Sequence, residues 1–274
     1  MTARVLTAVA GWPVAHSRSP AMHNAAFAAL GMDDWHYTRL PLKPDDFAQA
    51  VRALPACGYR GINVTIPHKE LALEVADSAT AAARAIGAAN TLSFGDDGSI
   101  EAENTDAPGF LDALGVPLAG RSVLVLGAGG AARAVVWAAV EAGASEVLVW
   151  NRTSDRARRL AADFGAEAVV AARPAEVVVN TTAVGLEGSA DDLPLGDAGD
   201  PELVADLVYG STDPPVTAWA RARGTPIVGG LEVLVRQGAL SFVRWTGEDP
   251  PLDVMREASR GCGGPPIVRV RFRY

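Results

Sequence analysis

The sequence predicts an α/β protein of two domains, each a sheet with helices on its faces. Three observations carry that expectation. Its 274 residues exceed one typical domain and suffice for two. Apolar, β-branched runs alternate with helical patterns from the N-terminus onward. After a turn at 115–120 the alternation restarts with a continuous apolar run and a glycine-rich segment. Hydrophobic residues make up 49% and charged ones 20%, so both halves can bury a core.

Each element has its own local signal. Val5 to Val9 reads as a strand ending at Gly11. A helix from Pro20 to Leu30 follows, with Ser19 as N-cap and Gly31 as its stop. Trp35 to Leu40 alternates as a strand, and Pro44-Asp45-Asp46 opens a helix that ends near Gly58. Gly61 to Ile66 is a β-branched strand stopped by Pro67. Helices are expected over Lys69–Val75 and Ser78–Ile86, then strands over Ala89–Phe94 and Ile100–Glu103. A short helix, Pro108 to Leu114, leads into the second domain, placed at about 107–236. There Arg121–Leu126 is the strand type buried on both faces of a parallel sheet. An Ala-rich helix to Ala142 and a strand Glu146–Trp150 complete one βαβ unit, and strands Val177–Asn180 and Leu203–Leu207 extend it. A helix from about Gln237 is expected to pack back on the first domain.

Composition excludes several function classes. The formal net charge of −8 argues against nucleic acid or an anionic membrane as the main partner. Cys57 and Cys262 supply no disulfide framework, and neither is spaced with the four histidines as a metal site. No apolar run approaches the roughly 20 residues that span a bilayer. The N-terminus lacks a basic-then-apolar signal pattern. The expectation is a soluble, cytoplasmic enzyme acting on a small molecule, as monomer or homodimer.

The turn Gly127-Ala128-Gly129-Gly130-Ala131-Ala132 follows the dinucleotide fingerprint. Gly127 permits the tight turn, Gly129 lets backbone approach a pyrophosphate, and Ala132 fills the helix-packing position. The helix that starts there offers free N–H groups and a positive dipole end to the anion. An NAD site needs a carboxylate after the second strand to bind the ribose 2′-OH. This chain instead has Asn151-Arg152-Thr153-Ser154-Asp155-Arg156. Arg152 and Arg156 suit a 2′-phosphate, while Asn151 and Thr153 can donate hydrogen bonds to it. Asp155 falls in the next helix turn, where an acid has an ordinary capping role. The cofactor expected is NADP.

Three polar clusters fall where strands of the first domain end, the side on which open α/β sheets present ligand groups. They are His16-Ser17-Arg18-Ser19-Pro20, Asn63-Val64-Thr65-Ile66-Pro67-His68-Lys69 and Asn104-Thr105-Asp106. Each has a plain structural reading beside a functional one: capping by Ser19, a surface charge at Lys69, an N-cap at Asp106. Strand alternation places Asn63 and Thr65 on one face. Together with Gly11-Trp12-Pro13-Val14-Ala15, Gly87-Ala88-Ala89-Asn90-Thr91-Leu92, the glycine turn, Asn151-Arg152-Thr153, Asn180-Thr181-Thr182, Asp206-Leu207-Val208-Tyr209 and Gln237-Gly238-Ala239, they form an ordered series along the chain. That series resembles the shikimate dehydrogenase family over nearly the whole sequence.

The resemblance implies an N-terminal substrate domain with a mostly parallel sheet, residues 1–106 completed by about 237–274. It also implies a Rossmann-type NADP domain at 107–236, with a cleft between the two. The implied reaction is the NADPH-dependent reduction of 3-dehydroshikimate to shikimate, and its reverse. Carried over by position, Ser17 and Ser19 hold the substrate carboxylate, helped by Tyr209. Thr65, Asn90 and Gln237 bind ring hydroxyls, and Lys69 and Asp106 are the catalytic pair. Gly127, Ala128, Gly129, Gly130, Ala131, Asn151, Arg152, Thr153, Arg156, Leu207 and Gly230 face the cofactor.

The chemistry is consistent with those roles. Hydride addition to a ketone builds charge on oxygen, which a positioned cationic donor stabilises and protonates. His16, His23, His36 and His68 are matched to no required proton transfer. The chain departs from the family pattern after Tyr209, at Gly210-Ser211-Thr212-Asp213, and at Val233, where Met is usual. It departs again from Ser259 onward, where Gly and Pro exclude a continuous helix and Ile267–Tyr274 reads as an edge strand or a basic tail. Two other activities stand as alternatives: a quinate/shikimate dehydrogenase with relaxed substrate or NAD use, and a non-catalytic sensor of NADP or a metabolite.

Overall fold

The structure, a computed structural model, describes residues 4–185, 193–209 and 214–261. Gly210–Asp213 and the tail from Cys262 lie outside the described residues. The chain divides into two units. One gathers the residues up to Gly115 with Gly129–Ala138 and Glu232–Ser259, and the other takes Val116–Ala128 and Ala139–Leu231.

The N-terminal elements are β1 (Val5–Gly11), α1 (Ser19–Ala29), β2 (Trp35–Pro41), α2 (Phe47–Ala53), β3 (Tyr59–Val64), α3 (Lys69–Val75), β4 (Ser78–Ala79), α4 (Ala81–Ile86), β5 (Thr91–Phe94), β6 (Ile100–Glu103) and α5 (Asp106–Leu114). Next come β7 (Ser122–Leu126), α6 (Gly130–Glu141), β8 (Glu146–Trp150), α7 (Ser154–Phe164), β9 (Glu167–Val169), β10 (Val177–Asn180), β11 (Leu203–Asp206), α8 (Pro215–Ala222) and β12 (Ile227–Gly229). Two helices close the described chain, α9 (Gly230–Thr246) and α10 (Leu252–Arg260).

The first sheet has six strands in the order β2-β1-β3-β5-β6-β4. It is mixed: β1 pairs parallel with β2 and β3, and β4 with β6, while β5 runs antiparallel to β3 and β6. Strand alternation sorts its core into two layers. Ala8, Ala10, Ile62 and Val64 face Phe47, Val51, Ala72 and Val75. Val9 turns the other way, into a layer with Met22, Phe27, Val235, Phe242, Trp245 and Met255. The C-terminal helices α9 and α10 therefore cover one face of this sheet. Gly61 has no side chain because Trp245 lies there: a Cβ would come within 2.6 Å of the Leu92 carbonyl that accepts the indole N–H at 3.2 Å.

The second sheet also has six strands, β12-β11-β10-β7-β8-β9, and all of its pairings are parallel. The β10 and β11 strands are buried throughout, as expected for central strands of a sheet covered on both faces.

Several boundaries differ from expectation for local reasons. The helix expected from Pro44 to Gly58 is broken into a 3-10 turn, α2 and a second 3-10 turn, because Pro55 has no N–H to continue α2. Ser78 and Ala79 pair with β6 instead of joining a helix, and Thr80 caps α4 by accepting from Ala83 N at 3.2 Å. The cap expected at Ser19 is absent: Ser19 is itself the first helical residue, beside a proline that needs no partner. Finally, α9 opens at Gly230, well before Gln237.

Candidate active site

Two helix starts in the first unit bring opposite charges together. Lys69 opens α3 just beyond Pro67, and Asp106 opens α5. A helix N-terminus favours the carboxylate and disfavours the ammonium. The cation is held there by its partner: Lys69 Nζ donates to Asp106 Oδ2 at 2.6 Å. Their side chains are 13% and 18% exposed, so the pair is largely desolvated yet reachable. The second oxygen of Asp106 is engaged as well, accepting from Asn90 Nδ2 at 2.9 Å.

Asn90 is the junction of the site. Its Nδ2 also lies 2.9 Å from Thr105 Oγ1 and 3.0 Å from Gln237 Oε1, and its Oδ1 accepts from Thr105 N at 2.7 Å. Gln237, on α9, is oriented in turn by donating to the Leu234 carbonyl at 2.8 Å. Behind this set runs a buried polar chain that sequence reasoning missed as a unit. Tyr37 OH donates to Asn63 Oδ1 at 2.8 Å, and Asn63 Nδ2 donates to Ser241 Oγ at 2.8 Å. Ser241 Oγ lies 2.8 Å from Thr91 Oγ1 and 3.3 Å from Thr105 Oγ1. Polar Asn63 and Thr91 inside apolar strands were a usable signal, but Ser241 on a helix gave none.

Where the β1–α1 connection enters α1, Ser17 and Ser19 are each only 4% exposed. Ser17 Oγ accepts from Ser19 N at 3.3 Å, which leaves the Ser17 hydroxyl proton free to donate to a ligand. The Ser19 hydroxyl has no partner among the described residues. Thr65 is half-buried, with its methyl group against Gly11, and its hydroxyl likewise has no partner among the described residues. The structure thus joins Lys69, Asp106, Asn90 and Gln237 in one hydrogen-bonded set, with Ser17, Ser19 and Thr65 in the same unit.

The histidines keep structural roles. His23 is fully buried, stacked on Tyr37 at 4.3 Å, with both ring nitrogens unpartnered, and burial pushes it down to about 3. His68 is buried against Phe47 with Nε2 on the Leu42 carbonyl at 2.8 Å, and burial lowers its proton affinity. His16 and His36 are exposed.

After β7, Gly127 has φ +118, a conformation that favours glycine, and a Cβ there would strike Thr181 Oγ1. Its N–H is tied to the Trp150 carbonyl at 2.8 Å. Further along the turn, Gly129 is exposed and a Cβ there would meet nothing within 4 Å, so its backbone is open to a ligand. Ala128, Gly130 and Ala131 are half-buried beside it. After β8, Asn151 donates to the Thr153 carbonyl at 3.0 Å, while Arg152 and Arg156 are exposed. Asp155 is paired with Arg158 at 3.2 Å, which leaves it the ordinary role. Asp206 anchors the strand-end segments: it accepts from Asn180 at 2.9 Å, Val208 N at 3.2 Å and Thr217 at 3.1 Å, and burial pushes its carboxyl up. Leu207 and Tyr209 follow, both half-buried, and Gly230 is needed because a Cβ would strike the Leu207 carbonyl. An open backbone turn with arginines after the second strand, and no free acid beside them, fits a dinucleotide with a phosphorylated ribose.

Residues 9–92 match the shikimate dehydrogenase substrate binding domain, 112–183 the shikimate / quinate 5-dehydrogenase family, and 230–258 the shikimate 5'-dehydrogenase C-terminal domain. Shikimate dehydrogenase (NADP(+)) of Methanothermobacter thermautotrophicus is 43% identical over 92% of this chain and 95% of its own length. The chain belongs to the shikimate dehydrogenase family. The Paracoccus denitrificans member is 44% identical over 90% of this chain and 93% of its own. Among solved structures, shikimate 5-dehydrogenase of Thermus thermophilus, in complex with NADP(H) and shikimate, superposes with a TM-score of 0.86. It is 43% identical, covering 93% of this chain and 98% of that one. The ligand-free 5-ketofructose reductase of a Gluconobacter strain has a TM-score of 0.83 at 29% identity, covering 94% and 99%. A shikimate dehydrogenase architecture therefore accompanies more than one named activity, and the side chains must decide among them.

No helix among the described residues is long and apolar enough to cross a membrane. No group of three or more His, Cys, Asp or Glu among them is placed to hold a metal ion.

Proposed function

We propose that this chain catalyses the reversible, NADPH-dependent reduction of 3-dehydroshikimate to shikimate, as a cytoplasmic monomer or homodimer. The observation that carries the reading is the Lys69–Asp106 pair at 2.6 Å, braced by Asn90, in a chain that also bears an NADP-type turn after β7. Bound NADPH would supply the hydride. Lys69 donates its proton to the alkoxide as it forms, and the nearby ammonium lowers the cost of that charge. Asp106 holds Lys69 in place and accepts from the reacting hydroxyl of shikimate in the reverse direction. Asn90, Gln237 and Thr65 bind the remaining ring hydroxyls, and Ser17 and Ser19 take the carboxylate. Gly127, Gly129 and the start of α6 would hold the pyrophosphate, and Arg152, Arg156, Asn151 and Thr153 the 2′-phosphate. Arg156 has no acidic partner among the described residues, which leaves its charge available for that group.

Absorbance at 340 nm with shikimate or quinate, each with NADP or NAD, tests the proposal. The highest kcat/KM is expected for shikimate with NADP. A preference for quinate or for NAD overturns the substrate or cofactor assignment, and no absorbance change with NADPH and 3-dehydroshikimate leaves only a binding protein.

A further inference from the structure

Arg39 stands beside the serine pair and has no role in the reading above. It lies near the C-terminal end of β2, in register with Val9 of β1, on the side where parallel strands present ligand groups. Its Nη2 donates to the Ser17 carbonyl at 2.7 Å, reaching from the edge strand across the β1–α1 connection. A short charge-assisted bond of this kind fixes the backbone of the residue whose hydroxyl is assigned above to the carboxylate. The rest of its guanidinium is unspent. Arg39 is exposed and has no acidic partner among the described residues, in a chain of net charge −8. The helix α1 that starts at Ser19 has no acidic residue in its first turn. Two buried hydroxyls, an acid-free helix start and an unpaired guanidinium all favour an anion in the same place.

We propose that Arg39 is a specificity-determining residue: by pinning Ser17 and leaving its charge uncompensated, it makes the Ser17–Ser19 pair select a carboxylate over a neutral group. The inference rests on the proposed shikimate reading and adds the source of discrimination at that end of the ligand. Hydroxyls alone favour a carboxylate over a carboxamide only by the extra strength of bonds to a charged acceptor, because both offer acceptor oxygens. A nearby guanidinium separates the two, since only one carries charge.

The test compares shikimate with its primary carboxamide, by calorimetric binding and by steady-state turnover, in wild type, Arg39→Gln and Arg39→Lys. Gln keeps a donor for the Ser17 carbonyl and removes the charge, and Lys keeps the charge and loses the planar fork. Wild type is expected to prefer the acid. Arg39→Gln should lower that preference about tenfold through the KM for shikimate, with kcat and the KM for NADP nearly unchanged. Arg39→Lys should recover part of it. Equal weakening of acid and amide in Arg39→Gln would make Arg39 a loop brace only and overturn the proposal, as would no change in either. A wild type that binds neither compound overturns the shikimate reading itself, and this inference falls with it.

Discussion

Replacing Asn90 by Asp exchanges an amide NH2 for an oxygen at the one point where three acceptors converge. In the native site Asn90 Nδ2 faces Asp106 Oδ1 at 2.9 Å, Thr105 Oγ1 at 2.9 Å and Gln237 Oε1 at 3.0 Å. The Thr105 hydroxyl can rotate to donate instead. Gln237 cannot easily follow, because its own NH2 is committed to the Leu234 carbonyl. Asp106 is left facing a second carboxylate. With charge centres about 4 Å apart in a site of effective dielectric about 20, the repulsion is about 4 kcal/mol. Losing the bond to a charged acceptor adds roughly 1–3 kcal/mol, and Lys69 on the other oxygen offsets a share of the total. The expected loss at pH 8 is about 3–5 kcal/mol, a large part of the roughly 5–15 kcal/mol that holds a typical domain together. Acidification relieves it. A proton shared between the two carboxylates restores the missing donor, so the folded pair binds that proton more tightly than an unfolded Asp of pKa about 3.9. Stability is then fully regained below the unfolded value and lost as pH rises through the folded one. Urea denaturation followed by tryptophan fluorescence at pH 8, 6.5 and 5 measures the effect, with Asn90→Ala as the uncharged control. A deficit in Asn90→Asp that is absent at pH 8, or that stays constant from pH 8 to 5, would refute the reasoning.

Three further outcomes are expected. Lys69→Met should lower kcat by about 10²–10⁴-fold while the KM for shikimate moves far less; turnover within tenfold of wild type, read at 340 nm, would demote Lys69 to a binding residue. Burial raises the Asp206 carboxyl above its ordinary 3.8, so the folded chain gains stability as pH falls toward that value and gives it up as pH rises. Asp206→Asn, which mimics the neutral form, should therefore melt higher than wild type at pH 8 in calorimetry and lose that advantage near pH 4. His23 is held down to about 3 from 6.5, so protons bind the unfolded chain first and wild-type stability falls as pH drops through that window. Guanidinium titrations of a His23→Leu variant should lack this contribution of about 1.4 kcal/mol per pH unit; an unchanged slope between pH 6 and 4 would show that His23 is not buried neutral.

Much of the fold was legible because its signals are local. Val123 to Leu126 and Val177 to Val179 are apolar on both faces, and they became the centre of the parallel sheet. Gly127 was readable for the same reason, since only glycine is comfortable at its backbone angle. What escaped the sequence was set by tertiary partners. Ser78 and Ala79 have nothing strand-like about them until β6 lies alongside. Ser19 looked like a cap because a sequence signals caps only by side-chain type, whereas the helix already includes it and its hydroxyl makes no cap bond. Ser241 and Tyr37 carry no motif at all. Their part in the buried chain behind Asn90 depends on α9 and β2 meeting β3, contacts between residues far apart in sequence.

Local cost marks the catalytic candidates, and also residues that merely resemble them. Lys69 is a cation at the positive end of a helix, and His23 is a buried ring with both nitrogens unpartnered. Each lowers stability, and such violations gather where function requires them. Cost alone does not choose between the two. His23 is 0% exposed and stacked against Tyr37, so no ligand reaches it, and its penalty belongs to core packing. Lys69 remains 13% exposed, is oriented by an acid at a second helix start, and that acid is oriented by an amide. A surface lysine needs none of this, and a core ion pair would have no use for a reachable ammonium. The combination of accessibility with fixed orientation is what a proton donor requires, and in this unit it is found at the Lys69–Asp106–Asn90 set.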